Sequence, residues 1–228
     1  MTATRRAAIA AGVLFLVGTA AGLLSIVGAA DGPDYMRAVA GNESRVLVGA
    51  LFQFITAAAY VGVAIVLHPV LRRNGPTAAA GFLGFRIAAG VLNMLGALVL
   101  LLLLDVSHQF VDAGALDPLH FQSTGALLRN ARDSVNHVAM ILALCAGDAL
   151  YYWVLFRARL VSRWLSVWGF IGLALAVSAS FLVMWRVIDV VTTAYVALTA
   201  VLALQQLALA VWLIVKGFNV PEDQTSLV

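Results

Sequence analysis

Residues 78–104 read AAAGFLGFRIAAGVLNMLGALVLLLLL, and the environment this stretch requires decides the fold. Apart from Arg86 and Asn93 it carries no polar side chain, so wound as a helix it has no face to offer to water. It is longer than the roughly 20 residues an α-helix needs to cross a 30 Å hydrocarbon core. It therefore reads as a membrane-spanning helix. Five further runs read the same way, over 7–29, 46–70, 134–156, 164–185 and 194–215. The first follows Arg5 and Arg6 and precedes a small-residue stretch, as a signal peptide would, but its apolar core exceeds the 7–15 residues typical of a signal. It is expected to stay as a helix. Within it Gly18 and Gly22 form a small-residue step suited to close helix packing.

Composition agrees with this reading. Of 228 residues, 63% are apolar and 11% charged, against roughly 45–50% and about 25% in soluble domains. The expected fold class is an all-α membrane protein, a six-transmembrane-helix bundle forming a single integral membrane domain over residues 1–228. The net charge of +3 comes from arginines at helix ends rather than along a stripe, so no nucleic-acid partner is expected; the partner is the lipid bilayer. With the N-terminus inside, eight basic residues flank the cytoplasmic ends and Arg37, Arg45, Arg129, Arg132 and Arg186 flank the outer ends. That excess predicts both termini in the cytoplasm. Trp153, Trp164, Trp168 and Trp212 fall near inner ends and Trp185 near an outer end, as headgroup-seeking indoles should. The lone Cys145 sits inside an apolar run, which predicts a buried, inert thiol. The sequence carries no sign of oligomeric state.

Two outer loops are expected, over 30–45 and 105–133. In the second, Asp117 and Pro118 precede Leu119 to Asn130, which predicts a short helix starting at Pro118 and lying as an amphipathic segment on the outer surface. Asp133 and Ser134 are expected to cap the fourth span.

The most specific words lie in the last third: LVSRWLSVWGFIG from Leu160 to Gly172 and LAVWLIVKGFN from Leu209 to Asn219. Together with Gly84-Phe85-Arg86, Phe121-Gln122 and Arg132-Asp133 they resemble a bacterial multi-pass membrane family, the domain of unknown function 4386. The resemblance covers nearly the whole chain. It implies a bacterial inner (plasma) membrane location and no particular chemistry. Where such proteins often carry acidic residues in the second, third and sixth helices, this chain has Gln53, Ala89 and Gln206; it has instead Asp148, at a place usually small and apolar, and His137.

Ionisable groups inside a bilayer cost several kcal/mol unless paired or hydrated. Arg86 lies eight residues from the start of the third span and Asp148 eight from the end of the fourth, both roughly 12 Å from the same boundary at 1.5 Å per residue. Antiparallel neighbours would bring them together. The pair then either locks two helices, or lines a relay or ligand site; alternatively Arg86 snorkels alone to the surface. Asn93 falls on the face of Arg86 and His137 on that of Asp148, each about 20° off alignment. These spacings predict one interior polar seam of Arg86, Asn93, His137, Asp148 and Gln206. Gln53 and one of Gln205 and Gln206 add amide hydrogen bonds between helices.

Asp105, His108, Asp133 and His137, with Asp112 and His120, cluster toward the outer mouth and are weak candidates for metal ligands without a recognised motif. No cofactor is expected. The chain has no glycine-rich phosphate loop, serine nucleophile elbow or paired cysteines, which counts against an enzyme. Three functions stay open: binding or transport of a small solute or ion through the seam, a non-catalytic accessory or sensor protein, and an intramembrane metal-dependent or acid/base enzyme.

Overall fold

A computed structural model of the chain describes residues 2–114 and 118–219. Its elements are α1 (Ala3–Leu24), a 3-10 turn (Gly28–Ala30), α2 (Tyr35–Gly41), α3 (Glu43–Leu71), α4 (Pro76–Ala113) and α5 (Pro118–Asp133). A π-helical segment (Ser134–Ala139), α6 (Met140–Arg157), α7 (Arg163–Met184) and α8 (Thr193–Val215) follow. Among the described residues there is no strand. Six helices are long and apolar enough to cross a membrane: α1, α3, α4, the continuous run Leu119–Arg157, α7 and α8. The protein is a multi-pass membrane protein. Its outward faces carry Leu51, Ile65, Val91, Ile171 and Val211, all exposed, a surface that only a lipid solvent tolerates on this scale.

The expected outer loops are corrected by the structure. The stretch 105–133 is almost wholly helical: α4 runs on to Ala113, and the helix from Pro118 does not lie flat but continues through the π segment into α6. It packs against α4, forming a hairpin that buries Leu103, Leu104 and Ser107. Asp117 lies outside the described residues. Asp133 and Ser134 do not cap a helix, because neither stands at a helix start; Asp133 has helical φ and ψ and makes no capping bond. The loop 30–45 contains α2, and α3 begins within it at Glu43.

In the bundle each span packs on its neighbours in chain order, and α1 closes the ring against α8. Arg5 fixes that closure. Its guanidinium donates to the carbonyls of Leu213 (3.0 Å), Ile214 (2.6 Å) and Val215 (3.2 Å), satisfying the orphan acceptors of the α8 C-terminus and placing positive charge on its negative dipole end. The start of α1 and the end of α8 therefore lie at one end of the bundle, called here the terminus end. At the opposite, far end Arg45 does the same for α1, donating to Leu24 and Ile26 carbonyls. Arg129 donates to the carbonyl of Asp31 at 2.8 Å and stacks on Tyr35, while Arg132 lies 3.6 Å from both Asp31 and Asp133. These contacts strap the α1–α2 connection onto α5.

The main apolar core fills the terminus half of the ring. Leu67, Leu71, Phe82, Tyr151, Leu155, Leu209 and Leu213 are fully buried there. A second cluster, with Val27, Val39, Val46, Leu100 and Leu103, lies under the far-end connection. Arg86, Asp148, Gln53, Asn93 and Asn136 are buried between these ends.

Candidate functional site: three buried polar clusters

The expected seam resolves into three separate clusters. The first is the ion pair. Arg86 Nε donates to Asp148 Oδ1 at 2.8 Å and Nη2 to Oδ2 at 2.9 Å, a bidentate fork with Arg86 1% and Asp148 0% exposed. Snorkelling is excluded by this geometry. Gln206 from α8 donates to the same Oδ2 at 3.2 Å, so the carboxylate joins three helices. The approach of α4 to α6 depends on Gly147, where a Cβ would lie 2.9 Å from the Cβ of Phe85; any larger residue would push the pair apart. Phe15, Tyr60 and Phe82 present ring faces 5.4–5.5 Å from the guanidinium carbon. Desolvated cation–π contacts of this kind are each worth about 2 kcal/mol, and they replace part of the hydration that the membrane denies to Arg86.

One part of the guanidinium is left over. Nε and Nη2 are taken by Asp148, while Nη1 has no hydrogen-bond partner among the described residues. Arg86 and Gln206 line a cavity of about 210 Å³ whose other walls are Leu14, Phe15, Gly18, Thr19, Gly22 and Leu23 of α1, Ala59, Tyr60 and Val63 of α3, and Ala203 of α8. The Tyr60 hydroxyl, too, makes no hydrogen bond to the described residues.

The second cluster is neutral. Gln53 Nε2 donates to Asn93 Oδ1 at 3.2 Å and to Asn136 Oδ1 at 2.9 Å, and Asn93 Nδ2 returns a bond to the Gln53 carbonyl at 3.0 Å. All three side chains are buried. Gly96 makes the room: a Cβ there would collide with the Asn136 amide. Asn93 thus stands one cluster away from Arg86 rather than beside it. The two are seven residues apart on α4, about 10 Å along the axis.

His137 forms the third. Its Nδ1 lies 2.7 Å from the Tyr195 hydroxyl of α8, and Ser180 of α7 donates to the His137 carbonyl at 2.8 Å. His137 and Asn136 both lie in the π segment, whose widened turn frees carbonyls from the regular ladder. Ser180 satisfies one of them. The segment also swings His137 away from the Asp148 face, which an unbroken helix would have kept.

Sequence reasoning missed Asn136, Tyr195, Tyr152 and the aromatic box. Gln205, expected to turn away if Gln206 faced the seam, does so: it donates to the Leu165 carbonyl at 2.9 Å and accepts from Tyr152. At the far end Asp105 is exposed, His108 lies 3.7 Å from Glu43, Asp133 pairs with Arg132 and His137 points inward. Among the described residues no three His, Cys, Asp or Glu side chains converge to hold a metal ion. Cys145 is buried and free.

The profile of a family described as a domain of unknown function, DUF4386, matches residues 10–217. The chain belongs to the DUF4386 family. The match begins within α1 and ends just beyond α8, so most of α1, the other five spans of this DUF4386 protein and all three polar clusters fall inside the family's domain. No curated protein and no solved structure matches the chain.

Proposed function

We propose that this DUF4386 protein binds a small molecule within the membrane at the Arg86–Asp148–Gln206 cluster, as a binding or transport protein and not as an enzyme. The observation that carries this reading is a cavity lined by a buried arginine that gives only two of its three nitrogens to Asp148. An acceptor arriving through the cavity would make a hydrogen bond to a charged donor, worth about 1.5–3 kcal/mol. A purely structural lock needs no cavity beside it.

The enzyme reading has less support. The ionisable groups that acid or base chemistry would use are dispersed: His137 bonds Tyr195 in another cluster, and Asp148 spends both oxygens on Arg86 and Gln206. The accessory reading accounts for the strapped far end but leaves the cavity without a purpose. For transport, the solute would have to pass the apolar core of the terminus half, so the present arrangement corresponds to a state open on one side only. The location proposed for the protein is the bacterial inner membrane, with both termini cytoplasmic, on the basis of the distribution of arginines.

The test is native mass spectrometry of the full-length chain released from mild detergent. One bound small molecule per chain is expected. Arg86→Lys, which keeps the charge and loses the fork, should give a folded chain with the adduct depleted. A wild-type chain that carries no adduct and gains none when incubated with membrane extract or cytosolic small molecules overturns the proposal.

A further inference from the structure

The shape and charge of the same cavity point to the kind of molecule it takes and the direction from which it enters. At the terminus end α1 and α8 are pressed together: Arg5 grips the last carbonyls of α8, and a Cβ on Gly12 would lie 2.7 Å from the Ala210 carbonyl oxygen. Toward the far end α1 instead follows α3. Gly18 faces Ala59 there, Gly22 faces Thr56, and Arg45 holds the last α1 carbonyls. The two helices α1 and α8 therefore diverge, and the cavity occupies the opening of that wedge.

Its rim is apolar: Leu23 stands one residue from the far end of α1, and Ala203 lies well inside the α8 span. Leu23 is 65% exposed, and Ala203, also exposed, is ten residues into α8, roughly 15 Å below the far-end boundary at 1.5 Å per residue. A portal at that depth opens into hydrocarbon, not water. From Phe15 to Leu23 the α1 wall extends about 12 Å, and apart from Thr19 its side chains are apolar or absent. Only the floor is polar. A hydrated ion entering here would exchange its water for aliphatic walls, at a cost of several kcal/mol.

Charge at the floor narrows the class further. Arg86 and Asp148 already cancel, so an anion lodged against them would add an uncompensated charge in a low-dielectric site, which is strongly unfavourable. A neutral acceptor carries no such penalty. Nη1 offers a donor, and Tyr60 and Gln206 line the same cavity.

We infer that the cavity admits, sideways from the bilayer between α1 and α8, a neutral lipid-soluble molecule whose carbonyl oxygen accepts from Arg86 Nη1. This rests on the binding function proposed above and adds to it the ligand class and the route. The carbonyl could belong to an acyl ester or to a quinone, and the experiment separates the two.

An alkyl benzophenone is a suitable probe, being neutral, lipid-soluble and carbonyl-bearing, and inserting into nearby C–H bonds under near-ultraviolet light. Full-length protein in lipid nanodiscs is irradiated with it and the adducts are mapped on peptides. Labelling is expected to concentrate on residues 14–23 and 203–206 and to be competed by excess dioctanoylglycerol in the ester case, or by a decyl quinone in the quinone case. Gly22→Leu should fold, since the nearest atom to its Cβ is 3.9 Å away, and it narrows the mouth. It should lower labelling there about tenfold, the scale on which pocket shape discriminates, and leave labels on other lipid-facing helices unchanged. Labelling spread evenly over the lipid-facing surface, uncompeted by either compound, or indifferent to Gly22→Leu, overturns the inference. If the probe fails while mass spectrometry still finds a water-soluble adduct lost in Arg86→Lys, the lateral route falls and the binding site stands. If both fail, both proposals fall.

Discussion

Two polar clusters lie about 10 Å apart in the middle of this bundle, and they have solved the problem of burial differently. The triad of Gln53, Asn93 and Asn136 is uncharged, its amides bonded to one another and to the α3 backbone, with Gly96 shaped to receive it. The Arg86–Asp148 pair is charged, held by α4, α6 and α8, and Arg86 and Gln206 also line a cavity. A neutral amide network is an economical way to fix helix register in a membrane. A buried ion pair is not, since replacing it by well-packed apolar residues often leaves stability unchanged or improved. The difference is one of charge and of a neighbouring cavity, and the proposal that the pair takes a ligand rests on it.

Substitutions can break this comparison. The largest effect is expected from Arg86→Leu or Asp148→Leu alone, each leaving a bare charge in the membrane and costing about 3–5 kcal/mol, read as lost folding yield and a lowered unfolding midpoint in detergent. The double variant should recover most of that loss while losing the ligand. Recovery of both would make the pair a mere lock. Next comes Gln53→Leu, which strands the amides of Asn93 and Asn136 and should cost about 1–3 kcal/mol, with adduct occupancy retained in the folded fraction. Smaller still is Ser180→Ala: removing the hydroxyl that satisfies the His137 carbonyl should cost about 1 kcal/mol, seen as faster amide exchange in the π segment with occupancy unchanged. A ligand loss in Gln53→Leu equal to that in the double variant would erase the distinction between the clusters.

The fold was legible because a bilayer imposes a length and a composition on each crossing, and stretches such as 78–104 satisfy both without ambiguity. The meeting of Arg86 with Asp148 was legible as an option from equal depth on antiparallel neighbours, with snorkelling of Arg86 as the alternative, and the bidentate contact decides between them. The single seam was not legible correctly. Spacing on an ideal helix puts His137 on the face of Asp148, but the π segment at Ser134–Ala139 changes the phase between them, and nothing in the sequence SVNHVA announces a widened turn. Asn136 was overlooked for the same reason. The helices over 105–113 and 118–133 were hidden by their polar residues, two of which meet partners across the connection, Arg132 with Asp31 and His108 with Glu43, and such partners are invisible until the fold places them. The cavity could not be read at all, because it arises from the divergence of α1 and α8, a property of helix axes and not of residue types.

The central claim is that the cavity beside Arg86 is a ligand site. A density map of the full-length protein in lipid nanodiscs, by electron microscopy at side-chain resolution, tests it most directly. The account predicts non-protein density between α1, α3 and α8 that ends within hydrogen-bonding distance of Arg86 Nη1. Neighbouring side chains closed over that space, with Nη1 bonded to a protein acceptor, would contradict it.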